Sequence, residues 1–224
     1  MVTQHKNIHI RPGIEPTIFK DTLQVVLVEI NTELNKLARA FYSWEFEDDD
    51  IPAVDNLFRI IERTWVGIFN NALNRSSTNI TTLQEFSVWG EQKGVRRCDL
   101  LIRFNPNNTA HDFITEAKIW EFSSNWKRPT PKAFYHSIMK QAYGYYEAEK
   151  NYYQSYQSNT WLMAFVVEWI RNSNMLEKAI KIMDGWDHNT DEETDFITLF
   201  TGKESGAFIY GKIMSTEEFE RDSV

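Results

Sequence analysis

Two strand-like segments carry charged residues within apolar surroundings: Arg97–Ile102, with the sequence RCDLLI, and Phe113–Ile119, with the sequence FITEAKI. Ionised side chains are costly to bury, so acidic and basic residues in such segments indicate a specific role. Side chains alternate across a strand, and Glu116 and Lys118 therefore share one face. A neighbouring antiparallel strand can bring Asp99 beside them. Two carboxylates and an ammonium that converge on one sheet face indicate a divalent-metal site of the kind that cleaves phosphodiester bonds.

The composition is typical of a globular protein with one sizeable core. The chain has 224 residues, of which 42% are hydrophobic and 14% aromatic. A single cysteine excludes an intramolecular disulfide and favours a reducing, intracellular setting. No apolar N-terminal segment resembles a secretory signal, and the longest apolar run, Trp161–Ile170, is too short to span a bilayer. We therefore expect a cytoplasmic protein without a membrane partner.

The net charge of −8 argues against general binding to polyanions. Much of the negative charge lies in two segments, Glu45–Asp50 and Asp184–Glu193. Seven basic residues surround the charged strands in sequence: Arg96, Arg97, Arg103, Lys127, Arg128, Lys132 and Lys140. A locally basic cleft on an acidic protein is therefore compatible with nucleic acid as a partner.

The spacing of apolar residues predicts an α/β fold with a mixed sheet. Helical spacing predicts helices over 21–42, 54–73, 132–153 and 174–183, and residues 1–20 are expected to be irregular. Strand patterns cover 81–89, 95–104, 112–120, 161–170, 195–200 and 207–213. We expect a single domain over 1–224. It comprises an N-terminal extension and helix (1–53), a core motif region (54–170) and a C-terminal helix and strand pair (171–224).

The motif region resembles the PD-(D/E)xK, or restriction-endonuclease-like, nuclease superfamily. The matching residues are Asp99 and the triplet Glu116–Lys118, on the second and third strands of a meander that follows a helix. In the next helix, Gln141 and Tyr145 reproduce the Gln-x-x-x-Tyr pattern of the RecB-like branch, four residues apart on one helical face. The resemblance covers residues 54–170.

This resemblance implies a fold and a chemistry. The fold is a restriction-endonuclease-like three-layer core with an N-terminal helical extension, and the activity is a Mg²⁺- or Mn²⁺-dependent DNA nuclease. Asp99 and Glu116 would bind the metal together with the carbonyl oxygen of Ala117, and Lys118 would orient or deprotonate the water or stabilise the phosphate. The third acidic ligand would be Glu62 or, as the alternative, Glu85.

Further residues are assigned supporting roles by the same resemblance. Gln141 and Tyr145 would hold the nucleic-acid backbone or the active-site water, and Arg97 is a further candidate for nucleic-acid binding. Cys98 stands where the motif usually has proline, and its place beside Asp99 favours a small core residue over a nucleophile. Nucleic acid, most simply DNA, is the expected partner, and a homodimer is left open.

Several alternatives remain at the level of sequence. The Glu-x-Lys pattern alone is weak, since Glu91–Lys93 also matches it within a Gly-bounded turn. Glu116 and Lys118 could instead lie on the solvent face of an edge strand, and Glu62 could be an exposed helix residue paired with an arginine. The functional alternative is a catalytically inactive member of the same fold that serves as a nucleic-acid-binding or protein-interaction module.

Overall fold

The computed structural model describes residues 2–4, 8–41, 62–89, 95–106, 109–122, 132–150, 159–187 and 193–223. These residues form five helices: α1 (Thr17–Phe41), α2 (Glu62–Ser76), α3 (Lys132–Ala148), α4 (Ser173–Asp184) and α5 (Thr216–Asp222). They also form eight strands: β1 (Thr3–Gln4), β2 (His9–Ile10), β3 (Ile80–Trp89), β4 (Val95–Phe104), β5 (His111–Glu121), β6 (Asn159–Ile170), β7 (Phe196–Thr201) and β8 (Gly206–Ser215).

All eight strands belong to one open, mixed sheet. Their order is β1-β7-β8-β6-β5-β4-β3, and β2 also pairs with β7. β5 and β6 run parallel, joined through α3, whereas the other pairings are antiparallel. The expected α/β class, with a mixed central sheet flanked by helices, is confirmed.

Two apolar clusters place helices on both faces of the sheet. On one face α1 and α2 supply Leu27 and Trp65, and Phe69 stacks on Phe165 of β6 with ring centroids 4.3 Å apart. On the other face α3, α4 and α5 pack over the sheet through residues such as Met139, Leu176 and Phe219. Most of these side chains are fully buried, so the sheet is the middle of three layers.

The expectation that residues 1–20 are irregular is wrong. Thr3–Gln4 and His9–Ile10 pair with β7, and α1 begins at Thr17, whose backbone N–H and hydroxyl both bond to the Glu15 carboxylate. The two strands have two residues each, so the distant strand β7 rather than a local pattern determines them. Nothing in a two-residue segment signals such a partner.

Most other helices and strands begin and end within a few residues of their predicted bounds. The strand predicted over 95–104 is observed with the same bounds. The predicted helix over 54–73 is observed from Glu62, and 54–61 lies outside the described residues. The helix predicted to reach residue 153 ends at Ala148, and 151–153 also lies outside them. Helix α5 was not predicted. It is seven residues long and is capped by the Ser215 side chain, which accepts from the backbone of Glu218.

Within the described ranges, no helix combines the length and apolar character needed to cross a membrane.

Candidate functional site

The sheet opens where β4 separates from β5. Their described register runs from Phe104 opposite His111 to Leu100 opposite Thr115 and ends there. β4 then continues beside β3, while β5 continues beside β6 as far as Glu121. We call this opening the fork. Backbone groups of β5 that face the fork need partners other than the β4 backbone.

Two carboxylates supply those partners. The Asp99 Oδ2 atom accepts a hydrogen bond of 2.7 Å from the backbone N–H of Ala117. The carboxylate of Glu62, from the first turn of α2, accepts a hydrogen bond from the backbone N–H of Ile119. Ala117 and Ile119 are two residues apart, so both N–H groups point towards the fork. The backbone of β5 thereby fixes two acidic side chains side by side.

Lys118 holds the third carboxylate. Its Nζ donates to Glu116 Oε1 at 2.7 Å and to the carbonyl oxygen of Ala117 at 2.8 Å. The Lys118 side chain is 24% exposed and that of Glu116 only 6%. Glu116 and Lys118 therefore lie at a partly buried position within the sheet, and the alternative of a solvent-facing edge strand does not describe them.

The site carries more negative than positive charge, and the pKa values reflect this. Burial raises the pKa of Glu116 to about 7; the hydrogen bond from Lys118 opposes the shift, whereas Asp99 and Glu62 add to it. Burial also raises the pKa values of Asp99 and Glu62. Burial alone would lower the pKa of Lys118, but the bond to Glu116 and the nearby carboxylates raise it above its usual value. Lys118 is therefore an ammonium at neutral pH.

The second oxygen of Glu116 is a buried acceptor with no hydrogen-bond partner among the described residues. An unpaired buried carboxylate oxygen costs free energy. Such atoms are rare in folded proteins and often mark a site at which a ligand or an ion completes the environment. Glu116 thus keeps one buried oxygen that no described residue satisfies.

The backbone of β3 and β4 is irregular where these strands pass the fork. Glu85 has a φ of 52°, a left-handed conformation that non-glycine residues seldom adopt. It lies between the paired residues Gln84 and Phe86, opposite Asp99. On β4, Cys98 joins the core under α3 while Leu100 joins the core under α1, so the usual alternation is broken at Asp99. Unusual backbone at one point of two strands is more common at functional sites than elsewhere.

Glu62 and Glu85, the two candidates for the third acidic position, have different partners. Glu85 receives two hydrogen bonds from the Arg63 guanidinium, one of them 2.6 Å long, at a largely exposed position. The charge of Glu85 also raises the pKa of Asp99. Glu62 interacts with Asp99 too, and in addition with Lys118 and the Ile119 backbone. The geometry favours Glu62 as the third carboxylate of the group.

The remaining candidate residues have no described contact with this group, or are described only in part. Among the contacts described for Asp99, Glu116 and Lys118, none involves Gln141 or Tyr145. Gln141 is exposed, and Tyr145 is half-buried against the core under α3. Arg97 belongs to β4 opposite Ser87, but its side chain lies outside the described part of the chain.

Cys98 and Arg103 have local contacts that bear on two further expectations. Cys98 is buried, its thiol donates to the carbonyl oxygens of Leu100 and Thr115, and burial raises its pKa to about 12. It is therefore a core thiol and not a nucleophile. Arg103, one of the basic residues expected near a cleft, forms two bonds of 2.7 Å with the buried carboxylate of Asp112. The competing triplet Glu91–Lys93 lies outside the described residues.

The oxygen atoms at the fork are of the chemical type that binds hard divalent cations. Carboxylate and carbonyl oxygens are the ligands that Mg²⁺ and Mn²⁺ prefer, and Glu116 keeps one buried oxygen unpaired. In the described ranges, no three His, Cys, Asp or Glu side chains are arranged closely enough to hold an ion. The Lys118 ammonium bonds to Glu116 and to the Ala117 carbonyl, two of the oxygens that the resemblance assigns to the ion. The oxygens match a hard cation in their chemistry, while the arrangement of the described side chains is not that of a formed metal site.

One aromatic residue beside the site was not singled out from the sequence. Trp120 lies two positions beyond Lys118 on β5, is 39% exposed, and its ring centroid is 5.0 Å from that of Phe134. The available signal was its spacing, since residues 116, 118 and 120 share one face of a strand.

Comparison of the chain with protein-family models, curated proteins and solved structures finds no significant match.

Proposed function

We propose that this protein is a metal-dependent phosphodiesterase that acts on nucleic acid, as a DNA nuclease of the restriction-endonuclease-like type. The observation that carries the proposal is the group at the fork. There, Asp99, Glu62 and Glu116 surround Lys118, and the buried Glu116 has a raised pKa and one unpaired oxygen. Groups with strongly shifted pKa values that interact within one site are characteristic of catalytic centres.

The arrangement of elements supports the finer assignment of fold. An antiparallel unit, β3-β4-β5, follows a helix, and α3 then leads to the parallel strand β6. Asp99 and Glu116 lie on the second and third strands of this unit, where the resemblance to the superfamily expects them. Helices cover both faces of the sheet.

Asp99, Glu116 and Glu62 would hold a Mg²⁺ or Mn²⁺ ion, together with the carbonyl oxygen of Ala117. When bound, such an ion lowers the pKa of a coordinated water and stabilises charge on the scissile phosphate. Lys118 must release the Ala117 carbonyl for this oxygen to become a ligand. The backbone N–H groups that bond to Asp99 and Glu62 keep those carboxylates in place meanwhile.

Lys118 acts as a donor in this proposal rather than as a base. Its pKa is raised by Glu116 and the other carboxylates, so its Nζ keeps its proton at neutral pH. An ammonium at this position donates a hydrogen bond to the attacking water or to a phosphate oxygen and stabilises the developing negative charge. Glu116 lies on the same face of β5 as Lys118 and accepts a hydrogen bond from the ammonium when no substrate is bound.

Cleavage of labelled DNA in Mg²⁺ or Mn²⁺ tests the proposal. We expect Glu116→Gln and Lys118→Ala each to lower the rate by at least about 100-fold. The matched control is Glu177→Gln, which alters an exposed glutamate of α4 and should cleave like the wild type. Cleavage that survives both site variants would contradict the assignment of the site.

A second candidate function is a nucleic-acid-binding or protein-interaction module with the same fold and no catalysis. The observation in its favour is that Lys118 already satisfies Glu116 Oε1 and the Ala117 carbonyl. Such a module would bind DNA without cleaving it, and its affinity would not depend on Mn²⁺ or on Glu116. The cleavage assay, repeated as a binding assay under the same conditions, separates the two functions.

A further inference from the structure

Trp120 is an exposed aromatic residue on the strand that carries Glu116 and Lys118. Among the described residues, four large apolar side chains are exposed, and Trp120, at 39%, is the aromatic one. It shares a strand face with Lys118 and lies about 6.6 Å further along β5, the rise of two residues. This distance is comparable to the separation between a phosphate and the base of the same nucleotide.

The ring of Trp120 is supported from the core side. Phe134, near the start of α3, contacts it at an interplanar angle of 50° and is itself packed against the core under that helix. This support holds the ring in place at little cost in side-chain entropy when a ligand binds. One aromatic neighbour on the inner side leaves the exposed part of the indole available for a flat ligand.

A cation lies at the same end of the strand. Arg171 directly follows β6 and is 63% exposed, and its Nη1 is 3.7 Å from the carboxylate of Glu121. An exposed ion pair of this length is weak, so the guanidinium can reach a phosphate at small cost. Lys118 therefore precedes Trp120 on the same strand face, and Arg171 is held at the end of β5 by Glu121, the residue that follows Trp120.

We propose that Trp120 stacks on a nucleobase next to the scissile phosphate, and that the site therefore takes single-stranded nucleic acid. In a duplex each base is already stacked between its neighbours, whereas an unpaired base presents a face that an aromatic side chain can cover. This proposal rests on the proposed nuclease function for the position of the phosphate. The stacking itself requires neither a metal nor cleavage.

Binding of a fluorescein-labelled single-stranded oligonucleotide, measured by anisotropy in EDTA with the full-length protein, tests the proposal. Stacking of one base on an aromatic side chain contributes enough affinity that Trp120→Ala should bind at least about fivefold more weakly. Trp120→Phe should keep most of the affinity. Trp120→Leu, which is apolar but has no aromatic face, should lose as much as Trp120→Ala. Val25→Ala, at an exposed apolar residue of α1, is the control and should be neutral.

The DNA and RNA forms of the same oligonucleotide, and the DNA duplex, are compared in that assay. Weaker binding to the duplex and dependence on Trp120 for either single strand would support the proposal. Equal affinity of the wild type, Trp120→Ala and Trp120→Leu would overturn it, as would equal affinity of the Phe and Leu variants. Binding that depends on Trp120 without any cleavage that depends on Glu116 would contradict the nuclease alone. Cleavage with no effect of Trp120 would contradict the stacking alone.

Discussion

At the scale of single residues, Glu116 has the largest energetic consequence. Its carboxyl is 5% exposed, lies near two further carboxylates, and has only one oxygen paired. Folding moves this group out of water into a position where its ionised form is disfavoured. The protein therefore forgoes stability at this residue, as is common where a side chain is retained for chemistry.

The free energy of unfolding should depend on pH because ionised Glu116 is disfavoured in the folded state. The pKa of Glu116 rises from 4.5 to about 7 on folding, so the folded state binds a proton more tightly than the unfolded state. Its contribution to stability is complete below pH 4.5 and is lost as the pH rises through 7, by up to about 3 kcal/mol. Glu116→Gln lacks this term. Relative to the metal-free wild type, the variant should therefore gain stability between pH 5 and pH 8 in urea unfolding.

The comparison between wild type and variant cancels the contribution of Asp195, a buried acid outside the fork. Burial raises the pKa of Asp195 to about 6, and this group is the same in both proteins. If the difference in the free energy of unfolding between wild type and Glu116→Gln stayed constant from pH 5 to pH 8, Glu116 would not be the strained carboxyl described above.

Three residues of the site were predictable from the sequence. Asp99, Glu116 and Lys118 were recognisable because charges within apolar strands are rare, and the structure brings them together. The choice between Glu62 and Glu85 could not be made, because it depends on the fork: Glu62 reaches a backbone N–H that exists as a free donor only where β4 leaves β5. The Asp112 partner of Arg103 was likewise not visible, since it depends on strand register.

At the scale of elements, Gly211 allows β8 to contact its neighbours closely. Gly211 lies opposite Phe165 of β6 and Phe196 of β7. A Cβ at this position would lie 2.5 Å from the ring of Phe196 and would also overlap the carbonyl oxygen of Ala164. Backbone atoms in a central sheet cannot shift to make room without loss of pairing.

Gly211→Ala should therefore lower the free energy of unfolding by about 3 kcal/mol, at the upper end of overpacking effects. Gly13→Ala is the control, because a Cβ at residue 13 meets no atom within 4 Å, and it should change stability by less than about 0.5 kcal/mol. Urea unfolding followed by circular dichroism measures both. A Gly211→Ala variant as stable as Gly13→Ala would show that β8 is not as closely packed as described.

The positions of the long helices and strands were predictable from the sequence. The strand that pairs with each of them was not. The strand over 95–104 has clear alternation and turn residues on both sides, so its bounds were recovered. Those signals specify that a segment is extended, but not which strand it joins. The two-residue strands β1 and β2 depend wholly on β7, and α5 depends on a single serine cap. These short elements could be identified only from the tertiary structure.

At the scale of the whole molecule, the sheet is most strongly held at its centre. β6 is paired along its length with β5 on one side and β8 on the other, and both of its faces are covered by helices. β3 lies at the end of the strand order and pairs with β4. Stability should therefore decrease from β6 towards β3.

Hydrogen–deuterium exchange can test this gradient. Amides of Leu162–Val167 should exchange only when the whole domain unfolds, while those of β3 should exchange at least about tenfold faster through local opening. Peptides that cover β6 and β3 are compared in the same experiment, so the temperature and pH are matched. Equal exchange of the two strands would contradict the description of β6 as the centre of the core.

We propose that the carboxylates at the fork bind a divalent metal ion, and calorimetric titration with Mn²⁺ measures that binding without relying on catalysis. The wild type and the control Glu177→Gln should bind Mn²⁺, whereas Asp99→Asn and Glu116→Gln should lose at least about tenfold in affinity. Lys118→Ala should bind at least as tightly as the wild type, because its ammonium no longer competes for Glu116 and the Ala117 carbonyl. A wild type that binds no Mn²⁺, or a Glu116→Gln variant that binds it equally well, would contradict the account.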